Sequence, residues 1–467
     1  MAERDDAIAV AVVGHTNAGK TSLLRTLTRR ADFGQVSDRP GTTRHVEAVA
    51  LMIDGRAALR FFDTPGLEDS TALMARLRLQ DAALPPPDRI RAFLATPDAT
   101  GRFEQEAKVL RALLDAEAAF HVIDARDPVL PKHRAELEAL SWCARPVLPV
   151  LNFVREPDSR EADWTRALSE YGLHAIVRFD AVAPFTGSEG RLYRDLATLL
   201  RPREDRLAEV VEALHFERLE RRRACLDEVA GLLVAAAATR RTLPRDLVEQ
   251  PAERTRAIEA FRASVLGRTR RSIDGLLQIQ AFGADEARLD LLPWLDGRWE
   301  SDVFNAEALG RAGQALGTGA LIGAGVGLVA DVALAGLSLG AAATLGAAVG
   351  GAAAQGFSGV GHAVTNLVRR RVDLTVEDEV LVLLADQMLA LLLTLEGRGH
   401  AASQPVVLQG VLDPARQQPF RALLAALAPA RAHPDWGIGE RGTAPSARRE
   451  RVAAQVTATL RQLIAAP

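Results

Sequence analysis

The chain has 467 residues, 25% of them charged, and 57 basic against 60 acidic side chains leave a formal net charge of −3. That length exceeds one ordinary hydrophobic core and predicts two or three domains, while the charge balance excludes the global electrostatic pull that nucleic-acid binders use. The two cysteines, Cys143 and Cys225, lie far apart in neither a CxxC nor a Cys/His cluster, which excludes a disulfide framework or structural zinc and fits a reducing cytoplasm.

In chain order, the acidic opening MAERDDAIAV reads as entry into the first domain rather than a secretory signal. The apolar run Ile8 to Val13 predicts a strand, followed by a turn at Gly14 and a polar-edged helix. Between them, Gly14-His15-Thr16-Asn17-Ala18-Gly19-Lys20-Thr21 fits G-x-x-x-x-G-K-[ST] in the strand-to-helix context that motif requires. The two glycines let the backbone turn its N–H groups toward phosphate oxygens, and the helix beginning at Lys20 adds its positive end. Residues Gly14 to Ser22 are the expected phosphate-binding set. Lys20 reaches the β- and γ-phosphates and Thr21 offers its hydroxyl to Mg²⁺. Lys20 is one of only three lysines, with Lys108 and Lys132, in an otherwise arginine-based chain, and a compact ammonium kept there is informative. His15 occupies a variable loop position and reads as a loop residue rather than a base.

Val46–Ile53 and Ala57–Phe62 read as strands joined by a type I′ turn at Asp54-Gly55. The loop Arg39–Arg44 before them offers Thr42 or, preferably, Thr43 to the same Mg²⁺. The second strand leads into LRFFDTPGLED, where Asp63 stands at the strand end as a further magnesium group and the N–H of Gly66 is placed to sense a γ-phosphate.

The segments GHTNAGKTS, RPGTTR and DTPGLED resemble the first three sequence motifs of the TrmE–Era–EngA group of translation-factor-class GTPases. The resemblance covers roughly Ile8 to Ala181 and implies a Ras-like G domain, an α/β P-loop fold with a mostly parallel sheet and helices on both faces. It further implies GTP and GDP as ligands, Mg²⁺ as cofactor, and a potassium ion at Asn17 that aids hydrolysis. Lys20, Asn17 and Thr43 are then the catalytic set, and Thr21, Thr43 and Asp63 the metal set. Leu67 stands where Ras-like enzymes carry the glutamine that orients water, so the attacking water is positioned by an ion, another loop or a partner; Glu68 and Asp69 are weak candidates.

AAFHVIDARDP and PVLPVLNFV read as buried parallel strands. After the second, the family's base-reading motif N-K-x-D keeps only its asparagine, as Asn152-Phe153-Val154-Arg155; either Glu156 or Asp158 substitutes from a shifted loop, or base selectivity is weaker or arises elsewhere. Asp180-Ala181 stands for the fifth motif. Residues 70–103, with Pro85-Pro86-Pro87, read as an insertion after switch II, either a nucleotide-sensitive partner surface or a passive one. FEQEAKVLRALL, VIDARDPVL and LPVLNFV are further similar to bacterial GTPases that join this domain to an uncharacterised C-terminal domain.

Residues 1–200 are thus the GTPase domain, followed by a mainly α-helical region. Residues 201–310 are charged and amphipathic; their cluster Arg218, Arg221, Arg222 and Arg223 is interrupted by acids and lacks interleaved aromatics, so nucleic-acid contact is not expected. Residues 311–371 hold a Gly/Ala-rich stretch from Leu316 to Gly361 with only Asp331 charged, read as two closely packed helices, either inside the protein or as a membrane hairpin with cytoplasmic basic flanks. Residues 372–467 read as helical, beginning with a short apolar helix in EDEVLVLLADQMLALLLTLEG. The expected function is a Mg²⁺-dependent GTP switch that controls the helical half, acting on a protein effector through that half or the insertion, in the cytoplasm or at the inner face of its membrane. The alternatives are a membrane-associated scaffold with a poorly hydrolysing site, and an Era-like ribosome or RNA assembly GTPase.

Overall fold

The computed structural model describes residues 6–30, 33, 46–185, 187–282, 337–339, 371–400, 402, 417–439 and 446–465. These divide into two compact units, Met1–Leu219 with Gly397–Gln404, and Glu220–Glu396 with Pro405–Pro467.

The first unit is built on six strands, β1 (Ile8–Val13), β2 (Glu47–Ile53), β3 (Arg56–Asp63), β4 (Ala118–Asp124), β5 (Val147–Asn152) and β6 (Val177–Arg178). Their order is β2-β3-β1-β4-β5-β6, parallel except for the antiparallel β2–β3 hairpin. That hairpin turns as expected: Asp54 and Gly55 both have positive φ, 49° and 76°, the pair of left-handed residues that a type I′ turn needs. β4 is a near-continuous apolar run because both faces of a parallel sheet are covered. Pro149, out of place in a central strand, pairs with His121 of β4 but has no registered partner on the β6 side, where β6 pairs only with Val150 and Leu151.

One sheet face packs Leu23, Leu24 and Leu27 of α1 (Lys20–Thr28) with Leu192, Tyr193 and Leu196 of α7 (Ser188–Leu199), preceded in the chain by α6 (Glu161–Glu170). The other face takes Leu73 and Leu77 of α2 (Ser70–Arg78), Ile90 and Phe93 of α3 (Pro86–Leu94), Leu110 of α4 (Glu104–Asp115) and Leu140 of α5 (Pro131–Trp142). Residues 70–103 are therefore largely helix: Asp69 caps α2, accepting from the Ala72 N–H at 3.0 Å, worth about 1 kcal/mol, and Pro86 begins α3 where its missing N–H costs nothing. The boundary expected near residue 200 lies further on, because Leu207, Val210 and Leu214 of α8 (Glu204–Ala238) join the sheet core.

The second unit is mainly helical. Its centre is α11 (Asp378–Glu396), buried from Val380 to Leu392 apart from Gln387, which is only partly covered, and packed with α10 (Pro251–Ile279), α12 (Gln417–Leu427) and α13 (Ala447–Ala465). The expected short apolar helix is thus a core helix. Among the described residues a further helix, α9, is one turn, Arg245–Val248. Unexpected from sequence is a three-stranded antiparallel sheet of β7 (Arg240–Pro244), β8 (Leu337–Leu339) and β9 (Arg371–Val376), in the order β7-β9-β8. β8 lies inside the stretch expected as a helical hairpin, where the alternating Leu-Ser-Leu pairs with β9 instead; the rest of 311–370 lies outside the described residues. Among the described residues no helix is long and apolar enough to cross a membrane.

Both cysteines are buried, and burial pushes the Cys143 thiol up to about 12 and the Cys225 thiol to about 11. Since the thiolate is the reacting form, the native protein should not react with a disulfide reagent at pH 8, and two thiols should titrate after denaturation. A fast native thiol would show that one of the cores opens readily.

Candidate nucleotide site

The loop after β1 takes its shape from residues that tolerate close approach or left-handed backbone. Gly14 has φ of 145°, and a Cβ there would sit 2.2 Å from the Val122 carbonyl oxygen; Gly19 has φ of 91°, and its Cβ would meet Asn152 Nδ2 at 2.3 Å. Asn17 is exposed with φ of 65°, a conformation asparagine tolerates better than most side chains. Lys20, only 7% exposed, folds back over the loop and donates to the carbonyls of Gly14 at 3.1 Å and His15 at 3.0 Å.

Beside it, the Thr21 hydroxyl donates to Asp63 Oδ2 at 2.6 Å. Asp63 is 1% exposed, and its Oδ1 is buried with no hydrogen-bond partner. Burial holds the Lys20 ammonium below its ordinary pKa, opposed chiefly by Asp63. Burial likewise raises the Asp63 carboxyl, opposed by the Thr21 hydrogen bond and by Lys20. An orphaned carboxylate oxygen beside a threonine hydroxyl is a hard donor set suited to a small divalent cation, so Thr21 and Asp63 fit the expected Mg²⁺. Gly66 packs on Thr16: a Cβ on Gly66 would lie 2.3 Å from Thr16 Oγ1, itself buried without a partner. Thr42 and Thr43 lie outside the described residues. Glu68 is exposed, and Asp69 is occupied as the α2 cap.

At the other end, Asn152 is 1% exposed. Its Nδ2 donates to the Ala18 carbonyl at 3.0 Å, and its Oδ1 accepts from the N–H groups of Phe153 at 3.1 Å and Ala181 at 3.0 Å. Phe153, in the lysine position of the base motif, has φ of 57°, which costs a bulky residue about 1–2 kcal/mol. The Arg126 guanidinium lies 3.9 Å from its ring centroid, held there by two hydrogen bonds to Asp124. Glu156 and Asp158 are exposed; the hydrogen bonds from Arg126 to Asp124 chiefly raise its pKa, and the charges of these two carboxylates add to that. Asp180 caps its own loop, accepting from Val182 and Ala183. The structure thus brings Gly14–Ser22, Asp63, Gly66, Asn152 and Asp180-Ala181 to one end of the parallel strands.

One neighbour has no local signal in the sequence. Gly399 belongs to the strap Gly397–Gln404 and donates its N–H to the Val182 carbonyl at 2.8 Å. A Cβ on Gly399 would lie 1.9 Å from the Ala181 carbonyl oxygen, which already accepts from the Thr26 hydroxyl of α1 at 2.8 Å. The strap backs the fifth-motif loop directly.

This loop, lysine, buried aspartate and tied asparagine on a mostly parallel sheet define a P-loop GTPase domain, and comparison with known proteins agrees. The family described as 50S ribosome-binding GTPase matches residues 9–153, and the family described as domain of unknown function DUF3482 matches residues 165–458. The second match exceeds half the chain, so the chain belongs to the DUF3482 family and joins that region to a GTPase domain. The tRNA modification GTPase MnmE of Rhodospirillum rubrum is 33% identical over 213 residues, 44% of this chain and 43% of its own. MnmE of Cereibacter sphaeroides is 42% identical over 83 residues, 18% of this chain and 19% of that relative; the chain spans less than half the length of either. Among solved structures, Era in complex with MgGDPNP and nucleotides 1506–1542 of 16S ribosomal RNA aligns with a TM-score of 0.28 and 20% identity over 37% of this chain and 50% of that one.

Two outcomes follow from this geometry. Gly399→Ala should lift the strap from Ala181 and speed release of a fluorescent GDP by about tenfold, about 1.4 kcal/mol; an unchanged release rate would show that the strap gives the loop no support. His133 is buried, and desolvation holds its pKa below the usual value. Its contribution to stability is therefore complete above the unfolded pKa of about 6.5 and is lost as pH falls toward the folded value. Thermal stability should drop between pH 7.5 and 5.5, and less so in His133→Asn, which keeps an acceptor for the Leu130 N–H that His133 Nδ1 now takes at 3.2 Å.

Proposed function

We propose that this protein is a Mg²⁺-dependent switch GTPase that hydrolyses GTP to GDP and phosphate and passes its nucleotide state to the DUF3482 region and, through it, to a protein effector. The observation that carries the reading is the buried Thr21–Asp63 pair at 2.6 Å, with an unpartnered Asp63 oxygen, beside the buried Lys20. Mg²⁺ held there would supply neutralisation of the charge on the phosphates. On the protein's side, Lys20 and the loop N–H groups hold the phosphates, Thr21, Asp63 and Thr43 hold the ion, and the N–H of Gly66 meets the γ-phosphate. The potassium role of Asn17 rests on the resemblance of GHTNAGKTS alone, since the left-handed backbone at Asn17 already accounts for an asparagine.

At the base end, Phe153 offers a stacking face in place of the motif's lysine stem, where base–aromatic stacking is worth about 1–3 kcal/mol. With the motif's aspartate missing, guanine selection falls to the exposed Glu156 or Asp158, or is weaker than in the family or arises elsewhere.

Lys20→Ala should abolish nucleotide binding; retained affinity would overturn the phosphate assignment. In competition, GTP should displace bound GDP better than ATP does, and turnover should be faster in potassium than in sodium. Equal competition by ATP would overturn the guanine assignment, and equal rates in the two salts would remove potassium from Asn17.

A further inference from the structure

The Leu67 side chain is fully buried, packed in the core that includes Ala11, Val13, Leu73 and Met74. It has no part in holding water, yet its backbone follows Gly66, the residue expected to meet the γ-phosphate. What fixes that backbone is a ring of polar contacts through three elements. The Leu67 N–H reaches the Gly14 carbonyl at 3.4 Å. His15 Nδ1 lies 2.8 Å from the Leu67 carbonyl, and His15 Nε2 lies 2.8 Å from Lys132 Nζ in the first turn of α5. Ser70 Oγ donates to the Lys132 carbonyl at 2.7 Å and closes the ring.

Chemistry fixes the direction of each bond. A lysine ammonium has only protons to give, so His15 Nε2 accepts. The imidazole is then neutral with its proton on Nδ1, and that N–H donates to the Leu67 carbonyl. Lys132 thus selects the tautomer that lets a phosphate-loop histidine hold the segment after Gly66. This also explains a lysine at 132 in a chain with three lysines among 57 basic residues: a single ring nitrogen is met by a compact ammonium, not by a planar fork.

We propose that His15 and Lys132 are positioning residues for GTP hydrolysis, holding Gly66 and Leu67 against the phosphate loop in the absence of a water-orienting glutamine. This inference rests on the GTPase reading and adds to it the device that fixes switch II. Neither residue touches the reacting atoms; each acts through the Leu67 carbonyl, and a small displacement there is felt in the chemical step rather than in binding.

The test is single-turnover GTP hydrolysis, with GDP and GTP-analogue affinities measured alongside, for the 467-residue chain and four variants. Lys132→Met and His15→Ala should each slow hydrolysis about tenfold while losing much less affinity, because position 15 meets phosphate through a backbone N–H that alanine keeps. The double variant should be no slower than the slower single one, because both remove the same constraint. His15→Gln keeps one donor and one acceptor and should stay within about threefold of the unsubstituted rate. Unchanged rates in either single variant, losses that multiply in the double, a His15→Gln variant as slow as His15→Ala, or affinity losses that match the rate losses would each overturn the proposal. Absence of hydrolysis by the unsubstituted protein would overturn the GTPase reading itself.

Discussion

A single buried amide, that of Asn152, sets the geometry of the nucleotide site. Its Nδ2 holds the phosphate loop at Ala18, and its Oδ1 holds both the backbone that follows it and the fifth-motif loop at Ala181. An amide in so dry a place costs about 1–3 kcal/mol for each group left without a partner, so three separate loops are tied to one another by the need to satisfy it. The constraint propagates. Gly19 has to be glycine because Asn152 Nδ2 occupies the place of its Cβ, and Phe153 adopts a left-handed backbone as its N–H turns back to Oδ1. This accounts for the asparagine surviving where the lysine and aspartate of the same motif are gone: it serves the protein's own loops.

Charge at the opposite end follows a different logic. Lys20 and Asp63 are buried, and desolvation works against both ions, lowering the pKa of one and raising that of the other. Their mutual attraction offsets part of that cost, but buried charges are a poor source of stability. What it provides is a fixed array of charge in a medium of low effective dielectric, where a polyphosphate and its cation gain far more than in water. The same residues that tax the fold are the ones positioned for phosphoryl chemistry.

The parts of this site that were legible in the sequence are those whose chemistry is local. Gly14 to Thr21 need particular residue types at fixed spacing, Asp54-Gly55 needs two left-handed residues, and Asp63 needs a strand end; each left its mark within a few positions. In residues 70–103, read as an insertion, Pro86 starts a helix whose Ile90 and Phe93 are buried, a packing that the run Pro85-Pro86-Pro87 does not announce. The boundary expected near residue 200 was misplaced because α8 keeps one helical period while its burial passes from the sheet core at Leu207 to the second core at Cys225. Contacts such as Lys132 with His15, or Gly399 with Val182, join residues far apart in the chain and leave no periodic trace.

The two family matches meet inside the sheet domain rather than between the units. The GTPase match ends at Phe153 and the DUF3482 match begins at residue 165, within α6, so most of α6 and all of β6, α7 and the Asp180-Ala181 loop fall on the DUF3482 side. Yet β6 pairs with β5, and Ala181 is bound to Asn152. The strap Gly397–Gln404, also within the DUF3482 match, returns to that same loop and touches it so closely that no side chain fits at Gly399. The base end of the nucleotide site is therefore built in part from the DUF3482 region. The strap is continuous in the chain with the end of α11 at Glu396, the central helix of the second core. In physical terms the region is not an appendage carried by a finished GTPase, because without it the site lacks a strand, a loop and the backing of that loop.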